Sequence, residues 1–129
     1  MIRSRQRIAL VVDDEEDICD LIEDALEDID VDVWKASTAE RAVDIAANYV
    51  IDVCFVDIFM PGKGGLWLIE KIREQHPEAE IVAISGGFDA MSADKTMRAV
   101  EKLGVQHRLS KPFLVSDILD ATVGILGGA

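Results

Sequence analysis

Asp57 is the first residue whose setting suggests chemistry. It closes the apolar run Val53-Cys54-Phe55-Val56, and Pro61-Gly62 follows shortly after. A short apolar run between turn signals fits a strand buried on both faces, and a Pro-Gly step continues neither a helix nor a central strand. Asp57 is therefore expected at the carboxyl end of a buried strand, the rim where ligands bind in open α/β sheets. Three other polar motifs occupy comparable places. Asp13-Asp14 follows the run Ile8 to Val12, Ser85-Gly86 follows Glu80 to Ile84, and Lys111-Pro112 closely follows Val105 to Leu109. Singly, each has an ordinary reading: Asp57 and Ser85 as turn residues, Asp14 as a helix cap, Lys111 as a solvated lysine. Their joint placement at strand ends is what points to a site.

Three carboxylates sharing one small site repel, at a cost on the order of 4 kcal/mol per close pair at a surface-like dielectric. A divalent cation relieves that conflict. With oxygen donors and no His or Cys nearby, the ion expected is hard, and Mg²⁺ suits few carboxylates with retained waters and a phosphate ligand. Lys111 adds positive charge for an anion, Ser85 adds a hydroxyl, and Gly86 is expected to let the backbone come close. Such parts position a phosphoryl group and neutralise its charge. Asp57 is the carboxylate placed to be the nucleophile.

The elements that must position these groups alternate strand and helix five times. Strands are predicted at Ile8 to Val12, Val31 to Ala36, Ile51 to Val56, Glu80 to Ile84 and Val105 to Leu109. The first helix is expected from Asp14 to Ile29, with Ile18, Leu21, Ile22, Ala25, Leu26 and Ile29 at helical spacing. Its opening acids, Asp14, Glu15, Glu16 and Asp17, favour the positive end of the helix dipole. Ser37 and Glu40 have the spacing of a capping box for a helix running to about Asn48. Gly62, Gly64 and Gly65 are read as a loop before a helix from Leu66 to about Gln75, closed by Pro77. A fourth helix is expected from roughly Ala93 to Leu103, capped by Gly104, and a fifth from about Val115 to Leu126. Five βα units imply an α/β fold, a doubly wound (βα)5 parallel sheet with helices on both faces. If the acids after strands one and three share a site, those strands are neighbours and the order is 2-1-3-4-5, the flavodoxin-like arrangement.

The chain has 129 residues, half of them apolar and 29% charged, which fits one globular domain spanning 1–129 with its core at about 7–126. A net charge of -12 argues against binding nucleic acid or an anionic membrane. No apolar run is long enough to span a bilayer, and the apolar run after the basic N-terminus is too short for a signal peptide. Cys19 and Cys54 lack metal spacing and read as reduced core thiols of a cytoplasmic protein. Trp34 and Trp67 read as packing or surface residues, and His76 and His107 as too isolated for ligation or catalysis. Gly127-Gly128-Ala129 reads as a frayed tail or the stub of a linker.

Val11-Val12-Asp13-Asp14-Glu15, Val56-Asp57-Ile58-Phe59-Met60-Pro61-Gly62, Ile84-Ser85-Gly86 and Ser110-Lys111-Pro112-Phe113 together resemble the four signatures of the CheY-like response-regulator receiver domain. The likeness covers Arg7 to Leu126. It implies that Asp57 is the phosphoacceptor and that Asp14, Asp57 and the main-chain carbonyl of Phe59 bind Mg²⁺, with Asp13 nearby and acting through water. It further implies that Ser85 and Lys111 bind the phosphoryl group, and that Lys111-Pro112 is cis. The partners implied are a histidine kinase or histidine phosphotransfer protein as donor and a downstream protein target. The chain would then be a stand-alone receiver of a two-component phosphorelay, a phosphoprotein that catalyses only its own phosphorylation and dephosphorylation and is otherwise not an enzyme. Three features depart from the pattern. Arg108 stands where the family usually has an aromatic switch residue, and two readings stay open: a guanidinium offered to an acidic partner, or a surface arginine packed along the sheet edge. The interval from Ser85 to Lys111 is long, with the extra length expected in Gly86 to Ser92, and Phe88 and Met91 there are candidates to cover the site or to extend the partner surface. Phe59 brings a bulky apolar group where polar residues are frequent, and slow self-dephosphorylation is expected. A Mg²⁺-dependent phosphohydrolase using an aspartyl phosphate is the alternative. It usually has two acids separated by one residue, which Asp13-Asp14 does not supply. A flavodoxin-type electron carrier is disfavoured because acids hold the rim where a flavin phosphate needs N–H donors.

Overall fold

The structure is a computed structural model that describes residues 6–60, 64–86 and 98–126. Five parallel strands form one sheet in the order β2-β1-β3-β4-β5, with β1 at Arg7–Val12, β2 at Val31–Ala36, β3 at Val53–Asp57, β4 at Glu80–Ser85 and β5 at His107–Ser110. The helices are α1 (Glu16–Ala25), α2 (Ala39–Asn48), α3 (Gly64–Gln75), α4 (described over 98–102) and α5 (Val115–Leu126). Pro61, Gly62, Phe88, Met91, residues 93–97 of the expected fourth helix and the 127–129 tail lie outside the described residues.

The central strands are apolar between their polar ends because both faces of the sheet are covered. Alternate residues go to opposite sides. Leu10, Val12, Cys54, Val56, Ile81 and Ala83 pack with α2, α3, Val100 and Val105. Ala9, Val11, Val53, Phe55, Val82 and Ile84 pack with Cys19, Ile22 and Leu26 of the α1 segment and with Ile118 of α5. β3 lies between β1 and β4 and is buried at all five positions, so Asp57 at its end inherits a rigid, fully paired frame.

Several element ends differ from the expectations by a residue or more, and four of these differences have a visible reason. Helix α1 ends at Ala25 rather than Ile29, and the chain continues in i→i+3 bonds such as Glu27 N–H to Asp24 O and Ile29 N–H to Leu26 O. The helix has no basic residue in its last turn to offset the dipole there, while Asp24 and Asp28 add negative charge. The cap of α2 is Thr38, whose Oγ1 accepts from Arg41 N–H at 3.1 Å, one residue later than the expected Ser37. Val105 does not begin β5. Gly104, at φ 84°, ends α4 with its N–H on Glu101 O while Val105 N–H reaches back to Val100 O. That pairing is a Schellman closure, and the buried Val100 and Val105 supply its apolar contact.

The fourth difference is that α3 begins at Gly64 and takes Gly65 into its first turn. A Cβ on Gly65 would overlap Ile58 Cα and come within 2.9 Å of Asp57 O. Gly65 thus lets α3 press against the backbone that carries Asp57. Gly65→Ala is expected to destabilise the fold by about 1–3 kcal/mol through overpacking. Gly124 in α5 has open space around its missing Cβ, and Gly124→Ala is expected to stabilise by about 0.5–1 kcal/mol. Urea denaturation of both variants checks the contrast; equal effects would contradict the packing assigned to Gly65.

Candidate functional site

The site lies where β1, β3 and β5 end. β1 runs out at Val12, and Asp13 N–H is held by Ala36 O at 3.2 Å, so Asp13 continues the line of the strand for one more residue. Its carboxylate is fully buried. Oδ1 accepts Glu15 N–H at 2.9 Å, which turns the chain into α1, and Cys19 Sγ contacts the Asp13 carbonyl at 3.4 Å from within that helix. Asp57 is the last residue of β3, paired in register with Ile84, and Ile58 N–H bonds Ile84 O at 3.1 Å. Asp57 Oδ1 accepts Phe59 N–H at 2.9 Å, leaving Oδ2 turned toward Lys111 at 3.4 Å. Lys111 is held by its own backbone, whose N–H donates to Ser85 O at 2.7 Å, and the Lys111-Pro112 bond is cis.

Carboxylate oxygens of Asp13, Asp14 and Asp57 all lie within 4.8 Å of one another. Asp14 is exposed, while the other two are buried. Lys111 Nζ enters this group at 3.1 Å from Asp13 Oδ2, and also contacts Glu15 Oε2. The Asp13 contact is one of charge rather than of direction, because Oδ2 makes no hydrogen bond. Burial and the neighbouring Asp57 charge push the Asp13 carboxyl up to about 6, against the pull of the Glu15 N–H and Lys111. Burial opposes the Lys111 charge, but Glu15, Asp13 and Asp57 outweigh it and hold the ammonium protonated well above the ordinary lysine range. A buried carboxylate oxygen with no hydrogen bond, beside two more carboxylates and no His or Cys donor, fits a hard divalent cation. Asp13, Asp14 and Asp57 are the side chains that would hold it.

The residues singled out from the sequence therefore divide. Asp13, Asp14, Asp57 and Lys111 meet, and Ser85 and Phe59 border them through main-chain contacts. Gly86 does not need to be glycine for space, since a Cβ there would meet Lys111 Cδ only at 3.9 Å, an ordinary contact. Arg108 stands apart: it is exposed on β5, with Nη1 3.9 Å from Glu101 Oε1 of α4. Glu15 was not foreseen. Its acid character was absorbed by the helix-dipole reading of α1, yet it makes no side-chain cap and turns to Lys111 instead. Cys19 and Cys54 are buried free thiols, and His76 spends its ring on Ala46 O at 2.7 Å, joining α3 to α2.

Comparison with known proteins sets this geometry in a family. The model for the response regulator receiver domain matches residues 9–123. Among curated proteins, response regulator protein PilR of Pseudomonas aeruginosa is 34% identical over 109 residues, 84% of this chain and 23% of its own length. Regulatory protein VanR of Enterococcus faecium is 34% identical over 104 residues, 81% of this chain and 43% of its own. The chain thus spans less than half the length of these relatives. Among solved structures, a CheY-like receiver domain protein from Methanospirillum hungatei superposes with TM-score 0.85 at 22% identity, covering 96% of each chain, a likeness of fold.

The electrostatics predict a pH effect whose sign follows from Asp13. Its pKa is higher in the fold, at about 6, than the ordinary 3.8, so the stability linked to its protonation is complete below about 4 and lost as pH rises through 6. In chelator, Asp13→Asn is expected to gain on the unsubstituted protein by about 1–3 kcal/mol between pH 4 and 7. Urea denaturation across that range checks it; a constant difference would contradict the buried repulsion.

Proposed function

The chain belongs to the response regulator receiver family, and from that premise we propose that Asp57 accepts a phosphoryl group from a protein phosphohistidine. The observation that carries this reading is one ammonium, Lys111 Nζ, within 3.4 Å of Asp57 Oδ2 at the edge of a three-carboxylate cluster. Asp57 Oδ2 is the oxygen proposed to attack, since Phe59 N–H occupies Oδ1 while Oδ2 faces the Lys111 ammonium, which is to turn to the phosphoryl oxygens. The new bond is Asp57 Oδ2–P. The bond broken is P–N of the donor, whose electron pair leaves with the imidazole nitrogen. Mg²⁺ bound at Asp13, Asp14, Asp57 and the Phe59 carbonyl would supply charge neutralisation for the transferring group. Lys111 turns its ammonium to the phosphoryl oxygens, and the Ser85 hydroxyl donates to them.

The donor proposed is a histidine kinase or histidine phosphotransfer protein, in a cytoplasmic setting. Among the described residues no helix is long and apolar enough to cross a membrane. The receiver catalyses its own modification and has no separate substrate. Phosphorylation adds roughly -1.5 to -2 charge beside Ser85 and Lys111. Movement of both toward that charge biases the surface made by α4, β5 and α5, where Arg108 and Glu101 face solvent, and a downstream protein reads the change. A phosphohydrolase is not favoured, because Asp13 and Asp14 are adjacent rather than separated by one residue.

Acetyl phosphate with Mg²⁺ is expected to label the chain to near one phosphoryl per molecule, forming the Asp57 O–P bond and releasing acetate. Labelling should vanish in chelator and in Asp57→Asn, and fall by about 10²-fold in Lys111→Ala, the scale of losing one charge-stabilising donor. Continuous turnover of phosphate esters would contradict the reading. Loss of label should be slow, because the Phe59 side chain brings an apolar group to the rim where water must attack. Phe59→Asn is expected to shorten the phosphoryl half-life several-fold, on the order of 1 kcal/mol from an added water-orienting amide. An unchanged half-life would remove Phe59 from the explanation.

A further inference from the structure

We propose that Glu15 is a positioning residue that draws the Lys111 ammonium toward the solvent side of the acidic cluster, so that it claims less of Asp13 and Asp57 and leaves them more open to a divalent cation. The inference deepens the metal-dependent reading above and rests on it. Lys111 Nζ has three carboxylate neighbours: Glu15 Oε2 in the closest contact, Asp13 Oδ2 at 3.1 Å and Asp57 Oδ2 at 3.4 Å. They differ in burial. The Asp13 side chain is 0% exposed and that of Asp57 6%, whereas that of Glu15 is 60% exposed. Lys111 itself is 17% exposed, so it sits at the boundary between the buried pair and the exposed acid.

A buried carboxylate attracts an ammonium more strongly than an exposed one does, since solvent screens the exposed pair. Lys111 already touches both buried acids with Glu15 present; left with Asp13 and Asp57 alone, it would close further on the oxygens a divalent cation needs. An ammonium and a dication compete for the same negative charge. Glu15 offsets this by giving the ammonium a partner on the solvent side. Its route to that place is built into the chain. Asp13 Oδ1 fixes Glu15 N–H at 2.9 Å, the Glu15 backbone is extended at φ -90° and ψ 108°, and its side chain makes no cap to α1. The carboxylate is thereby directed across the strand ends to a lysine 96 positions later. Because the Glu15–Lys111 pair is exposed on one side, it also breaks at little cost when the ammonium is wanted elsewhere.

The test is a double-mutant cycle read by Mg²⁺ affinity, measured calorimetrically on the full chain without any phosphoryl donor. Glu15→Gln is expected to weaken Mg²⁺ binding about 3–10-fold when Lys111 is present, and by less than about 2-fold in Lys111→Ala, where only the distant charge is lost. Lys111→Met serves as the second background should Lys111→Ala fail to fold. Glu15→Asp keeps the charge but withdraws it by one methylene, and it should bind Mg²⁺ within about 2-fold of Glu15→Gln. Equal effects of Glu15→Gln in both backgrounds would overturn the inference, as would a Glu15→Asp variant that binds like the unsubstituted protein. If the unsubstituted protein bound no Mg²⁺, the metal reading itself would fall and this inference with it. Binding without coupling would sink the inference alone.

Discussion

One ammonium shared among three carboxylates is the interaction on which the site depends. Asp13 and Asp57 are buried side by side, and each unrelieved pair of like charges at such range costs on the order of 4 kcal/mol even at a protein-surface dielectric. Lys111 reduces that cost and does not remove it: one Asp13 oxygen still lacks a hydrogen bond, and its carboxyl holds a proton up to about pH 6. The cluster is therefore a place where added positive charge is favourable and where a negative group can be accepted once that charge is present. Receptivity to a cation and then to an anion follows from the same imbalance.

Holding that imbalance requires a frame that cannot relax. The parallel sheet supplies it by burying both faces, so the strand ends cannot move apart without exposing apolar surface. The order β2-β1-β3-β4-β5 brings the end of β1 beside the end of β3 at the point where the chain reverses its direction of winding. Fine placement comes from single contacts: Phe59 N–H on one Asp57 oxygen, Ser85 O on the Lys111 N–H, and Gly65 allowing α3 against the Asp57 backbone. Each of these constrains backbone next to a functional side chain, so the charged groups keep few alternative positions.

Most of the fold was legible in the sequence because its signals are local and redundant. Apolar runs bounded by turn residues located all five strands, and strand adjacency followed from requiring Asp13-Asp14 and Asp57 to meet. Boundaries were less legible where apolar burial and backbone pairing part company. Val105 is buried yet belongs to the closure of α4, and Ile29 packs on the core after α1 has already ended. Glu15 escaped notice for a different reason. An acid at the start of a helix is fully explained by the dipole, and nothing local reveals that its partner lies at the end of β5. Gly65 was visible only as one glycine among several, since the clash that requires it involves backbone of the preceding turn.

The proposed function requires Asp57 to be the covalent acceptor, and chemical mapping addresses that requirement most directly. After treatment with acetyl phosphate and Mg²⁺, borohydride reduction converts an aspartyl phosphate to homoserine, which peptide sequencing by mass spectrometry locates. Homoserine at position 57 alone, absent when Mg²⁺ is chelated, is the result expected. A phosphoryl group found on His76, His107 or a hydroxyl residue, with Asp57 intact, would contradict it.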